Sequence, residues 1–222
     1  MKNVGKQVFI LALVGSLLAG CSSLSQEPAP PVPLGNMDTV QIISPSGNAE
    51  AFFLGKLYET ALVDRGRSAT LQLVDGGTLD MQLTRLREDS TDLVIACSGE
   101  LLEYYNPDLA QELKAEYATL KLVDKNSGEW REKIYDAVQG SLPNSLVATD
   151  PSNAVGCENN ESLPQNIVPI YRKPNLARGD RETLNLVSGA LSTEDLKTLV
   201  EETRSSGVTS ESSLAFLRSK GF

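Results

Sequence analysis

Apolar and polar residues alternate along residues 39–98 with two periods, one typical of strands and the other typical of helices. Three short apolar runs predict strands at 39–43, 69–74 and 92–96. Between these runs the apolar residues recur every three or four positions, which predicts a helix from Asn48 to about residue 63 and another that begins at Thr78. This order of elements favours a parallel sheet built from right-handed crossover units.

The second half of the chain is less regular. Its periodicity predicts helices at 100–105, 108–117, 130–138, 181–191, 192–204 and 210–220. Short strands are predicted at 145–148 and 166–171, on either side of a stretch, 150–165, that shows no period. Ser192 followed by Asp195 resembles a capping box, and Gly221 suits the end of the last helix.

The N-terminal residues have the pattern of an export signal. Two lysines precede an apolar run at 8–19, which is too short to span a bilayer comfortably and ends in Leu18-Ala19-Gly20-Cys21. This ending resembles the bacterial lipobox, which implies a signal peptide at 1–20, cleavage before Cys21, and acylation of Cys21. Since two or three acyl chains anchor a protein stably, we expect an exported protein held at the extracytoplasmic face of a bacterial membrane. The alternative is an ordinary signal peptide with an incidental cysteine.

The residues that follow Cys21 predict a linker. The segment 21–38 is rich in serine and proline and has few residues that could form a core, so it favours extended, polyproline-like conformations. We expect the folded part to begin near Met37.

Charge and composition exclude several classes of function. The formal net charge is −9, and removal of Lys2 and Lys6 with the signal would make it −11. There is no basic patch, which argues against a nucleic-acid partner. The chain has no histidine, the commonest general base and transition-metal ligand, and no pattern of nucleophile and base. We therefore expect that the protein is not an enzyme and that it has neither a cofactor nor a metal site.

Two cysteines remain after Cys21. In an exported protein, Cys97 and Cys157 are expected to form a disulfide that closes a loop of about sixty residues. The alternative is two separately buried thiols.

Short motifs at both ends of the folded part share their order and spacing with a known family. The motifs are LGKLYETAL at 54–62, GGT at 76–78, DL at 92–93, SGELL at 98–102, NIVP at 166–169 and LNLVSGALSTEDL at 184–196. They resemble the substrate-binding proteins of glycine betaine/choline ABC importers over 39–102 and 166–222, about half of the chain.

The resemblance implies a type II periplasmic-binding-protein-like α/β fold with two lobes and parallel-type sheets. The first lobe would comprise 39–98 and 163–222, and the second lobe would comprise 99–162, which is shorter than is usual in the family. The solute would bind in the cleft between the lobes.

The resemblance also implies a binding site, although this chain departs from the family pattern. Family members commonly hold a quaternary ammonium by cation–π contacts with aromatic rings, but the positions that align with two such rings are Asn48 and Cys97. Polar residues remain at strand ends and helix starts, where parallel sheets bind ligands. These candidate binding residues are Ser44, Asn48, Gly77, Thr78, Ser98 and Gly99.

Replacement rings would have to come from the predicted second lobe. Five aromatic residues are available there, but we expect at least four of them to serve packing: Tyr104, Tyr105, Tyr117, Trp130 and Tyr135. We therefore expect weak or undetectable binding of glycine betaine.

Two functions remain. The first is a lipid-anchored solute-binding component of an ABC importer, with a permease as partner and a quaternary amine or another polar molecule as solute. The second is a degenerate, non-transport member of the family that acts as an envelope interaction or accessory protein.

The lipid anchor predicts the behaviour of a Cys21→Ser variant. Serine cannot form the thioether that carries the lipid, so the variant should lose metabolic lipid labelling and leave the membrane fraction. A Cys97→Ser variant serves as the matched control and should stay labelled. Continued labelling of the Cys21→Ser protein would contradict the prediction.

Overall fold

The computed structural model describes residues 39–121, 127–156, 162–206 and 210–222. Their strands all belong to one five-stranded sheet. The strands are β1 (Thr39–Pro45), β2 (Ser68–Val74), β3 (Leu93–Cys97), β4 (Leu146–Ala148) and β5 (Ile167–Arg172). All three strands predicted in 39–98, and both of the later ones, are confirmed.

The sheet is mixed, with strand order β2-β1-β3-β5-β4. Strand β1 pairs in parallel with β2 from Thr39↔Ser68 to Pro45↔Val74, and in parallel with β3 on its other edge. Strand β5 runs antiparallel to both β3 and β4. The predicted parallel arrangement therefore holds for the three N-terminal strands, while β5 enters the sheet in the opposite direction.

Eight helices connect and cover the strands within the described ranges. They are α1 (Ala49–Asp64), α2 (Leu79–Arg87), α3 (Ser98–Tyr105), α4 (Pro107–Ala118), α5 (Gly128–Ser141), α6 (Arg178–Ala190), α7 (Thr193–Ser206) and α8 (Ser210–Ser219).

Local capping explains where several helices start and stop. The Asn48 side chain accepts a hydrogen bond from the Ala51 backbone N–H at 2.8 Å, which satisfies a donor that the first turn of α1 leaves unpaired. At α7, the Asp195 backbone N–H donates to Ser192 Oγ while the Asp195 carboxylate accepts from the Ser192 backbone N–H, each at 3.1 Å. This pair confirms the predicted capping box. Gly221 ends α8 with φ of 89°, a conformation that glycine adopts without steric cost.

Strand β3 shows how the core is divided. Its five residues are all buried, and because successive side chains point to opposite faces, Ile95 joins one apolar cluster and Val94 joins the other. Helices α1, α6, α7 and α8 contribute to the first cluster, and α2 to α5 contribute to the second. The described chain is therefore a sheet between two helical layers.

The segment 99–162 was predicted to be a reduced second lobe. In the structure its helices α3, α4 and α5 pack on one face of the common sheet, and its strand β4 pairs with β5. The described residues from Thr39 to Phe222 belong to one compact unit. The described part of the segment thus shares a sheet and a core with 39–98, and the lobe boundaries stay a prediction.

Several predicted features lie outside the described residues. These are the signal peptide at 1–20, Cys21, the linker at 21–38 and Cys157. Cys97 is 2% exposed, and its disulfide with Cys157 stays a prediction.

Over the ranges that the structure describes, no helix has both the length and the apolar character that a membrane crossing requires. The same ranges contain no group of three or more cysteine, aspartate or glutamate residues placed to hold a metal ion.

A buried hydrogen bond between α1 and α6 provides a test of the packing. The hydroxyl oxygens of Tyr58 and Ser188 lie 2.9 Å apart, both residues are 0% exposed, and burial raises the pKa of Tyr58. Tyr58→Phe should lower the free energy of unfolding by about 1–3 kcal/mol, because it leaves a buried hydroxyl without its partner.

Urea unfolding followed by circular dichroism measures this loss. Removal of both hydroxyls, in Tyr58→Phe with Ser188→Ala, should cost less than the sum of the two single changes. Tyr104→Phe removes a hydroxyl whose hydrogen bond is exposed and should change stability much less. If the losses in unfolding free energy of Tyr58→Phe and Ser188→Ala simply add in the double variant, the two hydroxyls are not coupled and the prediction is wrong.

Candidate functional site

The candidate site lies where the sheet changes its direction of winding. From β1 the chain crosses to β2 on one side, and from β2 it crosses back past β1 to β3 on the other side. Right-handed crossovers in opposite directions place their helices on opposite faces, and α1 and α2 indeed belong to different apolar clusters. A crevice therefore opens between the carboxyl ends of β1 and β3, the position where open α/β sheets bind ligands.

A cavity of about 280 Å³ occupies this crevice. Its volume is near the lower end of the range for small-molecule sites, roughly 300–1,000 Å³. The wall is formed by the ends of β1 and β3, the starts of α1, α2 and α3, and the loop before β5. The lining residues are Pro45, Asn48, Glu50, Ala51, Gly77, Leu79, Gln82, Ile95, Ala96, Cys97, Glu100, Gly156 and Ile167.

Two of the six predicted binding residues line the cavity, namely Asn48 and Gly77. Asn48 also caps α1, so one side chain serves the helix start and the wall. Gly77 precedes α2, and a Cβ there would lie 3.0 Å from Val74 Cγ2 and 3.3 Å from Pro45 Cβ. A side chain at position 77 would therefore press against the end of β1 and the end of β2.

Three of the remaining predicted residues have local roles next to the cavity. Thr78 is exposed, and its hydroxyl accepts from the Met81 backbone N–H at 3.3 Å, which caps α2. The Ser98 hydroxyl donates to the Pro164 carbonyl at 3.0 Å and fixes the loop before β5. Ser44 is 0% exposed, and its Oγ has no hydrogen-bond partner among the described residues. The Thr78 hydroxyl therefore caps a helix, the Ser98 hydroxyl anchors a loop, and the Ser44 hydroxyl is enclosed in the core.

Gly99 is needed because a side chain at this position would collide with Gln165. A Cβ at this position would lie 2.5 Å from Gln165 Nε2 and 2.8 Å from Gln165 Cδ. Gln165 is 4% exposed, and its Oε1 accepts a hydrogen bond from the Glu100 backbone N–H at 3.3 Å. The glycine therefore admits a buried amide that joins the loop before β5 to the first turn of α3.

The prediction from sequence missed two acidic residues that line the cavity. Glu50 stands in the first turn of α1 and Glu100 in the first turn of α3. Burial raises the pKa of the Glu100 carboxyl, and the charge of Glu103 adds to the rise. A sequence signal did exist, because each glutamate lies two residues after a position that was selected, Asn48 or Ser98.

Gln82 is a further lining residue that the sequence did not indicate. Its Nε2 donates to the Gly77 carbonyl at 3.0 Å, so the amide is held against the loop before α2. Its Oε1 is buried and has no hydrogen-bond partner in the described structure.

The five rings considered as replacements for an aromatic cage all belong to the second apolar cluster, and none of them lines the cavity. Tyr117 and Trp130 pack with ring centroids 5.1 Å apart, and the Tyr135 hydroxyl donates to the Thr149 carbonyl at 2.9 Å. The expectation that these rings serve packing is confirmed.

Solved structures share this fold at low sequence identity. YehZ from Escherichia coli, in its apo form, superimposes with a TM-score of 0.59 at 11% identity over 83% of this chain and 99% of its own. A glycine betaine/carnitine/choline ABC transporter protein gives a TM-score of 0.54 at 11% identity over 81% and 98% of the two chains. No protein-family model and no curated protein matches the sequence. The likeness shows the fold, and it confirms the predicted α/β fold class.

The close approach at Gly99 predicts the effect of a methyl group there. Gly99→Ala should lower the free energy of unfolding by about 1 kcal/mol or more, because Gln165 must move and release the Glu100 backbone N–H. Gly140→Ala is the matched control, since nothing lies within 4 Å of its Cβ position on α5, and it should not destabilise the protein. Equal stability of the two variants in urea unfolding would show that Gln165 moves without cost.

Proposed function

We propose that this chain is an extracytoplasmic solute-binding protein that takes a small polar solute in the cavity between β1 and β3. The position of the cavity is the observation that carries the proposal, because the crevice at a reversal of strand order is the general ligand site of open α/β sheets. The fold shared with a glycine betaine/carnitine/choline ABC transporter protein supports it.

The proposal includes the anchor and the partner that the sequence predicts. A lipid on Cys21 would hold the protein at the extracytoplasmic face of a bacterial membrane, and the linker at 21–38 would separate the folded unit from the bilayer. An ABC importer permease would then receive the solute. Genes for a permease and an ATPase next to the gene for this chain would support this assignment.

The wall of the cavity argues for a solute other than glycine betaine. Each cation–π contact contributes roughly 0.5–2 kcal/mol, and the lining residues that the structure describes include no aromatic ring. Loss of two such contacts would weaken binding by about fivefold to several-hundredfold. We therefore propose solute binding as the general function, with an altered ligand preference.

If a solute binds in this cavity, Ala51→Met should weaken its binding at least tenfold. Ala51 lines the cavity and is 6% exposed, so a longer side chain at position 51 would take up space that a solute needs. Titration calorimetry of the full-length protein in mild detergent, with a panel of amines, betaines, amino acids and sugar acids, should find a solute whose affinity falls at least tenfold in the variant.

Ala49→Met is the matched control for this experiment. Ala49 is exposed, lies two residues earlier on the same helix and does not line the cavity, so affinity should not change. Thermal melts of both variants verify that they are folded. If no solute of the panel binds the unaltered protein, the proposal is wrong, and the alternative of an accessory or interaction protein gains support.

A further inference from the structure

Among the described residues of the cavity wall, the charged side chains are all acidic. Two of the lining residues are glutamates, Glu50 and Glu100, while none is a lysine or arginine. Glu50 has a partner of its own and adds a second carboxylate to the wall. A solute that binds here must therefore match an acidic surrounding.

Glu100 is the lining carboxylate with which a cationic solute could form an ion pair. Its side chain is half-buried, and within the described ranges it forms no ion pair. The charged group that acts on it is Glu103, which is itself paired with Lys114 at 2.8 Å. Burial of a carboxylate without a cation is unfavourable, so a cationic ligand would supply the missing partner.

The hydrogen-bonding capacity of Glu100 indicates which kind of cation would fit. A carboxylate accepts hydrogen bonds from N–H donors, and a charge-assisted hydrogen bond is stronger than one between neutral groups. A ligand whose positive charge is carried by an ammonium with N–H groups would therefore form both the ion pair and the hydrogen bond.

Quaternary ammonium compounds do not fit this requirement, because their nitrogen has no hydrogen to donate and the described part of the wall has no aromatic face to receive it. Glycine betaine also carries a carboxylate, which Glu100 would repel. The apolar part of the wall, including Leu79, Ile95 and Ile167, suits a short hydrocarbon chain.

We propose that the cavity binds a small protonated primary or secondary amine without a carboxylate, with Glu100 as its counter-ion and hydrogen-bond acceptor. This inference rests on the proposed function and names the class of solute. It assigns the ammonium group to the first turn of α3 and the hydrocarbon part to the ends of the strands.

Titration calorimetry of the full-length protein in mild detergent tests the proposal with two matched probes. Ethanolamine and choline share a hydroxyethyl group and a positive charge, and they differ in the N–H donors of the ammonium. Ethanolamine, or 1,4-diaminobutane as a longer amine, should bind at least tenfold more tightly than choline or glycine betaine.

Variants of Glu100 connect this preference with the cavity. Glu100→Gln keeps the shape but removes the charge, and it should weaken amine binding at least tenfold, while Glu100→Asp should retain part of the affinity. Glu112→Gln is the control, because Glu112 is an exposed glutamate on α4 that does not line the cavity. Thermal melts verify that each variant is folded.

The possible results separate this inference from the proposed function. If choline, glycine betaine or a solute without an ammonium group binds more tightly than the amines and is blocked by Ala51→Met, solute binding stands and the amine assignment is wrong. Amine binding that is equal in Glu100→Gln and Glu112→Gln also overturns the assignment. If no probe of any class binds, the proposed function itself fails.

Discussion

Strand β1 is hydrogen-bonded in parallel on both edges, to β2 and to β3, and the rest of the molecule depends on this pairing. Because the crossover from β1 to β2 and the crossover from β2 to β3 run in opposite directions across the sheet, α1 and α2 must cover opposite faces. The carboxyl ends of β1 and β3 then lie side by side with no crossover helix over the crevice between them. The cavity is the space that remains there, so its position follows from strand order before any lining side chain is considered.

Most elements of this fold could be predicted from the sequence because each has a local cause. Asn48 and Thr78 mark helix starts with side chains that accept backbone donors, and the apolar run of β3 reflects a strand buried on both faces. The direction of β5 was not predictable in the same way, since an apolar run looks alike in parallel and antiparallel pairs. The contact of β4 with β5 joins residues that are distant in sequence, and no local signal encodes it.

The sequence predicted the position of the candidate cavity but only part of its lining. Asn48 and Gly77 were selected because residues at strand ends and helix starts surround the crevice of a parallel sheet, and both line the cavity. Glu50 and Glu100 were missed because an acidic residue in the first turn of a helix already has an ordinary explanation in the helix dipole. Gln82 was missed because nothing in the sequence shows that a polar residue inside a helix faces a cavity.

Burial and a neighbouring carboxylate act on Glu100 in the same direction. Both favour the neutral acid, burial more than the charge of Glu103, and the pKa of Glu100 is raised. A cation bound beside Glu100 would favour the charged form instead. The proposed amine would therefore gain from the position of this carboxylate in a cavity wall, since an ion pair at an exposed surface contributes little.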